Sequence, residues 1–416
     1  MDYKMDYTGT SSMESVLNRL SAALEGIGDG FLEHPAIPYT INQLLETAID
    51  NRASMLHINV GSPPMLRIND QLVPIGEHQL TRGDCQKLLH PLLTREQRSA
   101  LYSGIEIDGC FPSSGTGFRL NLYKERGNLS ASIRRLRSDI PSLDTLGLSG
   151  SAVEHVLTEN SGLVLLTGMP RSGKLNTLAA FIAHLNATRN ARIISLEKPI
   201  KYWHQKSLST VVQREIGIDT RSFAHGLQQA VLQDPDIISL TNLPDRETAE
   251  FVIRAASGGH LVLAALDATS CTGALERLYN TFSRNEMGTK IISALAGTLK
   301  AVICQTLVPS ADNSSVLPAF EIMIGSDAIR SNLRDGNIER LQDIMRDENM
   351  QTLGKALSSL VNSGAISQAT AVEYLHSPEE LSTAAQDGNH ESDNDQSAPP
   401  PIIPDSAVTD PSLAWL

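Results

Sequence analysis

Gly168-Met169-Pro170-Arg171-Ser172-Gly173-Lys174-Leu175 has the spacing of a phosphate-cradling loop, GxxxxGK[ST], up to its last position. In such a loop the glycines let backbone N–H groups wrap phosphate oxygens, the lysine reaches the terminal phosphates, and the final hydroxyl holds Mg²⁺. Leu175 has no oxygen to offer a metal. The residues expected to touch a nucleotide are therefore Gly168, Arg171, Ser172, Gly173, Lys174, Leu175 and Asn176, without the usual metal ligand.

Such a loop works only between a strand and a helix N-terminus, where peptide dipoles point at an anion. Gly162 to Thr167 reads as a buried strand leading into it, and Asn176 to Leu185 as the helix leaving it. Further buried strands are expected at Arg192–Leu196, Asp236–Leu240 and His260–Ala265, alternating with helices. That alternation predicts a doubly wound parallel sheet with its ligand at the strands' carboxyl ends. From about Arg284 to His376 the pattern reads as mostly helical.

Before the linker Asp139-Ile140-Pro141-Ser142 lies a smaller α+β pattern: a helix over Thr40–Asn51, strands at Met55–Val60 and Met65–Ile68, a turn at Asn69-Asp70, more helix, and strands at Phe118–Leu122 and Ser130–Leu136. The expected organisation is an extension over 1–38, an α+β domain over 39–138, a linker over 139–150, the phosphate-loop domain over 151–310, a helical segment over 311–376 and an acidic tail over 377–416. Within the extension, Val16, Leu17, Leu20 and Leu24 share one helical face. The tail is rich in Asp, Asn, Ser and Pro and is expected to be disordered; its Ala414-Trp415-Leu416 end is a candidate peptide motif.

Composition removes several function classes. The net charge of −13 is concentrated in the tail, whose eight acidic residues face no Lys or Arg, leaving about −5 elsewhere. With 4% aromatic residues and no basic stripe, nucleic-acid binding is not expected. No apolar run reaches the eighteen or so residues of a membrane span and no secretory signal opens the chain, so cytoplasmic residence is the expectation. Cys85, Cys110, Cys271 and Cys304 lack metal-ligand spacing, and neither disulfides nor zinc are expected.

In order along the chain, these motifs resemble the type II/IV secretion ATPases, most closely the retraction (PilT-type) ATPases of type IV pili that drive twitching motility. Ala53-Ser54-Met55-Leu56-His57, Pro63-Pro64-Met65-Leu66-Arg67 and Phe118-Arg119-Leu120-Asn121 are similar to that family's ASDLH, PPMxR and FRVN segments. Glu197-Lys198-Pro199-Ile200 stands at its acidic EDPIE box, Asp234 to Ile238 at its Walker B segment, Gly258-Gly259-His260-Leu261-Val262 at its histidine box, and Gln305-Thr306-Leu307 and Ala328-Ile329-Arg330 at its QTL and AIR elements. The resemblance implies a RecA-like P-loop core after a small PAS-like α+β domain and before a helical segment. It implies ATP as ligand, and a homo- or heterohexameric ring formed with retraction ATPase paralogues, peripheral to the inner membrane at the pilus base and facing a platform protein there. Arg119, Arg126 and Arg134 are then candidates to complete the site from the first domain, with Glu197 and His260 as retained catalytic candidates and Glu197 as the one candidate metal ligand.

Departures from the family's pattern converge on one task. Leu175 replaces the Mg²⁺-binding hydroxyl, Lys198 and Lys201 replace acidic-box carboxylates, Asn242 stands where Walker B has its catalytic glutamate, and Asp267 replaces the second histidine of the histidine box. Metal binding, charge neutralisation and water activation are all weakened, so the resemblance implies a nucleotide-binding ring subunit impaired in hydrolysis, or alternatively an active motor with a rebuilt metal shell using Asn176 or Thr177.

Overall fold

The computed structural model describes residues 37–283 and 286–375. The helix expected around Val16–Leu24, the acidic tail and the Ala414-Trp415-Leu416 motif lie outside the described residues.

Two compact units emerge: the described parts of Met1–Ile107 with Asn121–Ile133, and of Asp108–Leu120 with Arg134–Leu416. In the first, helix α1 (Ile41–Asp50) starts at a capping box between Thr40 and Gln43 and buries Ile41, Leu44, Leu45 and Ala48, one face at helical spacing. Strands β1 (Met55–Ile58), β2 (Met65–Ile68) and β3 (Gln71–Pro74) form an antiparallel meander. Asn69 and Asp70 both take positive φ in its tight turn. Helices α2 (Arg82–Leu89) and α3 (Arg95–Tyr102) follow, then β4 (Ile107–Ser113), β5 (Thr116–Glu125) and β6 (Asn128–Arg135). The six strands pair in the order β3-β2-β1-β6-β5-β4; of β4 only Ile107 belongs to the first unit, and the boundaries between the units also fall within β5 and near the end of β6.

After the short helix α4 (Ala152–Leu157), the second unit carries a sheet of seven strands ordered β13-β12-β7-β11-β10-β8-β9. Its centre is β7 (Gly162–Thr167), β8 (Arg192–Glu197), β10 (Ile237–Leu240) and β11 (Leu261–Leu266), mutually parallel and buried almost throughout. A sheet covered on both faces needs such continuous apolar strands. Alternate residues face opposite sides: Leu163 and Leu165 join one core, Val164 and Leu166 the other. Helix α5 (Lys174–Thr188) packs Leu178, Phe181 and Leu185 into the second core. The helices α6 (Phe223–Val231), α7 (Arg246–Ser257), α8 (Cys271–Phe282) and α9 (Glu286–Thr298) lie in sequence between and after the strands. Among them Leu227, Val252 and Leu275 cover the first core.

The reading of a mostly helical chain beyond Arg284 is corrected. β12 (Leu299–Pro309) and β13 (Val316–Ile324) occupy twenty of those residues, β12 parallel to β7 and β13 antiparallel to β12. Both are buried on two faces, so neither shows the period-two alternation that marks a half-exposed strand. The edge strand β9 (Thr210–Glu215), parallel to β8, was likewise not expected. The helices α10 (Asp327–Asp335), α11 (Leu341–Asp347), α12 (Leu353–Asn362) and α13 (Gln368–Tyr374) complete the helical C-terminal region.

Candidate functional site

The phosphate loop leaves the carboxyl end of β7 and closes onto the first turn of α5. Gly173 caps that helix at φ +82°, and Arg171 also sits in the left-handed region at φ +69°. At Gly168, φ is +148°, and a Cβ would lie 2.3 Å from Ser172 Oγ and 2.6 Å from the Gln305 carbonyl. A Cβ on Gly173 would lie 2.8 Å from Gln305 Nε2. Ser172 is only 7% exposed, and its hydroxyl has no hydrogen-bond partner among the described residues. Backbone that admits only glycine, a buried unpaired hydroxyl and a helix N-terminus together form a cradle fitted to phosphate oxygens.

Parallel pairing brings the other carboxyl ends to the same edge of the sheet. Cys304 is in register with Thr167, so Gln305 lies on one side of the loop; β11 lies on the other and ends into Asp267. Beyond β11 come β10, which ends just before the exposed Asn242, and then β8, which ends at Glu197. An open pocket over the loop is walled by Gly168 to Ser172, Ala268, Gln305, Leu307, Leu353 and Tyr374.

Five contacts at this edge escaped the sequence reading. Lys174, 8% exposed, is ion-paired to Asp267 Oδ1 at 2.8 Å and donates a hydrogen bond to the Met169 carbonyl at 3.2 Å. Thr177, fully buried, donates to Gln305 Oε1 at 2.6 Å. Glu215, in register with Glu197 across β8 and β9, receives Arg119 Nη1 at 3.0 Å and the Cys110 thiol at 3.3 Å. Arg119 also pairs with Asp108, so this candidate is engaged within its own chain.

Glu197 is buried beneath α5 in a small pocket shared with Leu175, Lys201, Tyr202 and His204. Its Oε1 accepts from Ser195 Oγ at 2.8 Å and from Gln213 Nε2 at 2.9 Å. Burial pushes its carboxyl up from 4.5 to about 7, with Glu215 adding repulsion and the Gln213, Ser195 and Lys201 backbone hydrogen bonds opposing. Burial also pushes His204 down to about 4. Lys201, although exposed, lies below the usual lysine range, through desolvation and then through the nearby charge of Lys174.

The raised Glu197 value carries a stability consequence. Between pH 4.5 and about 7 the folded chain holds a proton here that the unfolded chain has released, so stability falls as pH rises through that window and the loss is complete above it. Glu197→Gln removes the titration. The variant is expected to gain on the order of 2 kcal/mol over the parent at pH 8 relative to pH 5. Thermal denaturation at both pH values checks this, and parallel pH dependence of the two proteins would refute it.

Other expected site residues stand apart. His260 precedes β11 at the amino edge of the sheet, where its Nδ1 is 2.8 Å from the Pro235 carbonyl; six residues of strand, roughly 20 Å, separate it from the loop. Within one chain it takes no part in the site. Arg126 sits exposed in the tight turn after β5, and neither it nor Arg134 makes an ion pair among the described residues. Lys198 is exposed, its backbone N–H donating to Thr241 Oγ1 at 3.1 Å.

The cradle fits a nucleotide's phosphates, but the donor set does not fit magnesium in its usual place. Leu175 packs against the core under α5, the Thr177 hydroxyl is committed to Gln305, and Asp267 to Lys174. Glu197, buried, about half protonated at pH 7 and held by two donors, is a weakened metal ligand. No group of three metal-ligating side chains occurs among the described residues.

A family model described as type II/IV secretion system protein matches residues 32–316. The chain belongs to that family. It is 33% identical over 343 residues to the type IV pilus retraction ATPase PilT of Pseudomonas aeruginosa, covering 82% of this chain and 99% of that one. To the type IV pilus ATPase PilU of the same organism it is 30% identical over 357 residues, covering 85% and 93%. A crystal structure of the pilus retraction motor PilT with bound ADP superposes with a TM-score of 0.68 at 31% identity, covering 83% of this chain and 99% of that chain. The Legionella pneumophila ATPase DotB, at 23% identity, 80% and 95% coverage and a TM-score of 0.65, shares the fold. This family member has no described helix long and apolar enough to cross a membrane.

Proposed function

We propose that this chain is an adenine-nucleotide-binding subunit of a type IV pilus retraction machine, impaired in hydrolysis and acting as a ring subunit or modulator of an active retraction motor. The observation that carries the reading is the pairing of an intact cradle, Gly168 to Lys174, with Leu175 and Asn242 at the two positions where hydrolysis needs an oxygen ligand and a base. The similarity to PilT and PilU, and the ADP bound in the PilT crystal structure, support nucleotide as the ligand and the pilus base as the place of work. Charge on the phosphates would meet the α5 N-terminus, Lys174 and Lys201. Glu197, only 6% exposed and turned into a small pocket, is shielded from the solvent that would supply an attacking water.

In the ring that this reading assumes, Arg126 and Arg134 are the arginines left to reach a neighbouring subunit's phosphates. A platform protein of the inner membrane and an active paralogue are the proposed partners. The test is equilibrium binding of a fluorescent ATP analogue to the purified chain, with and without Mg²⁺, with phosphate release followed in the same samples and copurification with an active retraction ATPase scored in parallel. Binding without turnover, together with mixed assemblies, is expected. Mg²⁺-dependent turnover by the chain alone would make it an active motor instead.

A further inference from the structure

The ion pair between Lys174 and Asp267 bears on which nucleotide this site accepts. An ammonium has three N–H donors. Here one is engaged by Asp267 Oδ1 at 2.8 Å and another by the Met169 carbonyl at 3.2 Å, leaving one for phosphate. Asp267 is anchored where it stands, since Arg277 Nη1 donates to its backbone carbonyl at 2.8 Å just after β11. Its side chain is 49% exposed, next to Ala268 in the wall of the open pocket over the loop.

A diphosphate places its terminal group among the loop's backbone N–H donors and can use the one remaining lysine donor. A triphosphate adds a further anionic group that the same lysine would have to neutralise. That group meets a carboxylate already bound to the lysine, with no hydroxyl at position 175 to bring in a compensating cation. Like charges this close in a partly desolvated pocket repel strongly. We infer that Asp267 makes this a site for nucleoside diphosphate over triphosphate, its carboxylate occupying the place of a terminal phosphate on Lys174. The inference rests on the nucleotide-binding reading above and adds the ligand class to it.

Binding of fluorescent (N-methylanthraniloyl) ADP and ATP to the full chain, in EDTA and in Mg²⁺, tests it. The parent is expected to bind the diphosphate about 10-fold or more tightly than the triphosphate under both conditions. Asp267→Asn should tighten the triphosphate by about 10-fold while leaving the diphosphate within about 3-fold, and Asp267→Ala should do the same. Equal or tighter triphosphate binding by the parent would overturn the inference, as would a change in both ligands alike on substitution. If parent and both variants remain folded by circular dichroism yet bind neither ligand, the nucleotide reading itself has failed.

Discussion

Leu175→Ser with Asn242→Glu and Lys198→Asp is expected to raise phosphate release from ATP by about 10²-fold or more at saturating ATP and Mg²⁺. Each change returns an oxygen to a position where phosphoryl transfer needs one. A hydroxyl at 175 adjoins Lys174 in the first turn of α5, a carboxylate at 242 follows the end of β10, and a carboxylate at 198 follows Glu197 at the end of β8. Losing one such group typically costs about 10² to 10³ in rate, and losses within one site do not multiply, so single restorations are expected to recover little. Asn242 and Lys198 are exposed and tolerate substitution; Leu175 is half-buried, and its replacement forfeits about 1 kcal/mol of apolar contact. Steady-state phosphate release from the triple variant, compared with the three singles, reads the effect. If the triple variant binds nucleotide and assembles yet stays inactive, the defect lies outside these positions.

The loop was legible because its chemistry is local: seven residues with fixed spacing between an apolar run and a helical one. The four central strands were legible for the same reason, each a short buried run such as Leu261–Leu266 bounded by turn residues. What the sequence hid depends on pairing between distant segments. Asp267 lies 93 positions from Lys174, and only the parallel pairing of β11 with β7 makes it the lysine's partner. Glu215 became visible only once β9 was placed beside β8, which sets it against Glu197 and turns Arg119 from a free candidate into a brace. His260 shows the converse: a motif match one residue before a strand reads the same at either edge of the sheet, and the direction of β11 puts it at the far one. β12 and β13 were misread because burial on both faces erases the alternation from which a strand is recognised.

Gly168→Ala is expected to abolish nucleotide binding and to lower stability by about 3–5 kcal/mol, combining an overpacking cost with left-handed backbone strain. The added methyl would lie 2.3 Å from Ser172 Oγ and 2.6 Å from the Gln305 carbonyl, so relief must come from moving backbone in the loop or in β12. Either movement opens the cradle. Gly259→Ala separates the two contributions, since Gly259 has φ +102° but nothing within 4 Å of the Cβ it would gain, and lies at the opposite edge of the sheet. That control should lose only about 1–2 kcal/mol, the backbone strain, and keep its nucleotide affinity. Urea denaturation and fluorescent-nucleotide titration of both variants measure the difference. Equal losses of stability would mean that Gly168 is retained for its backbone angle alone, whereas a larger loss at Gly168 together with lost binding ties the glycine to close packing around the phosphates.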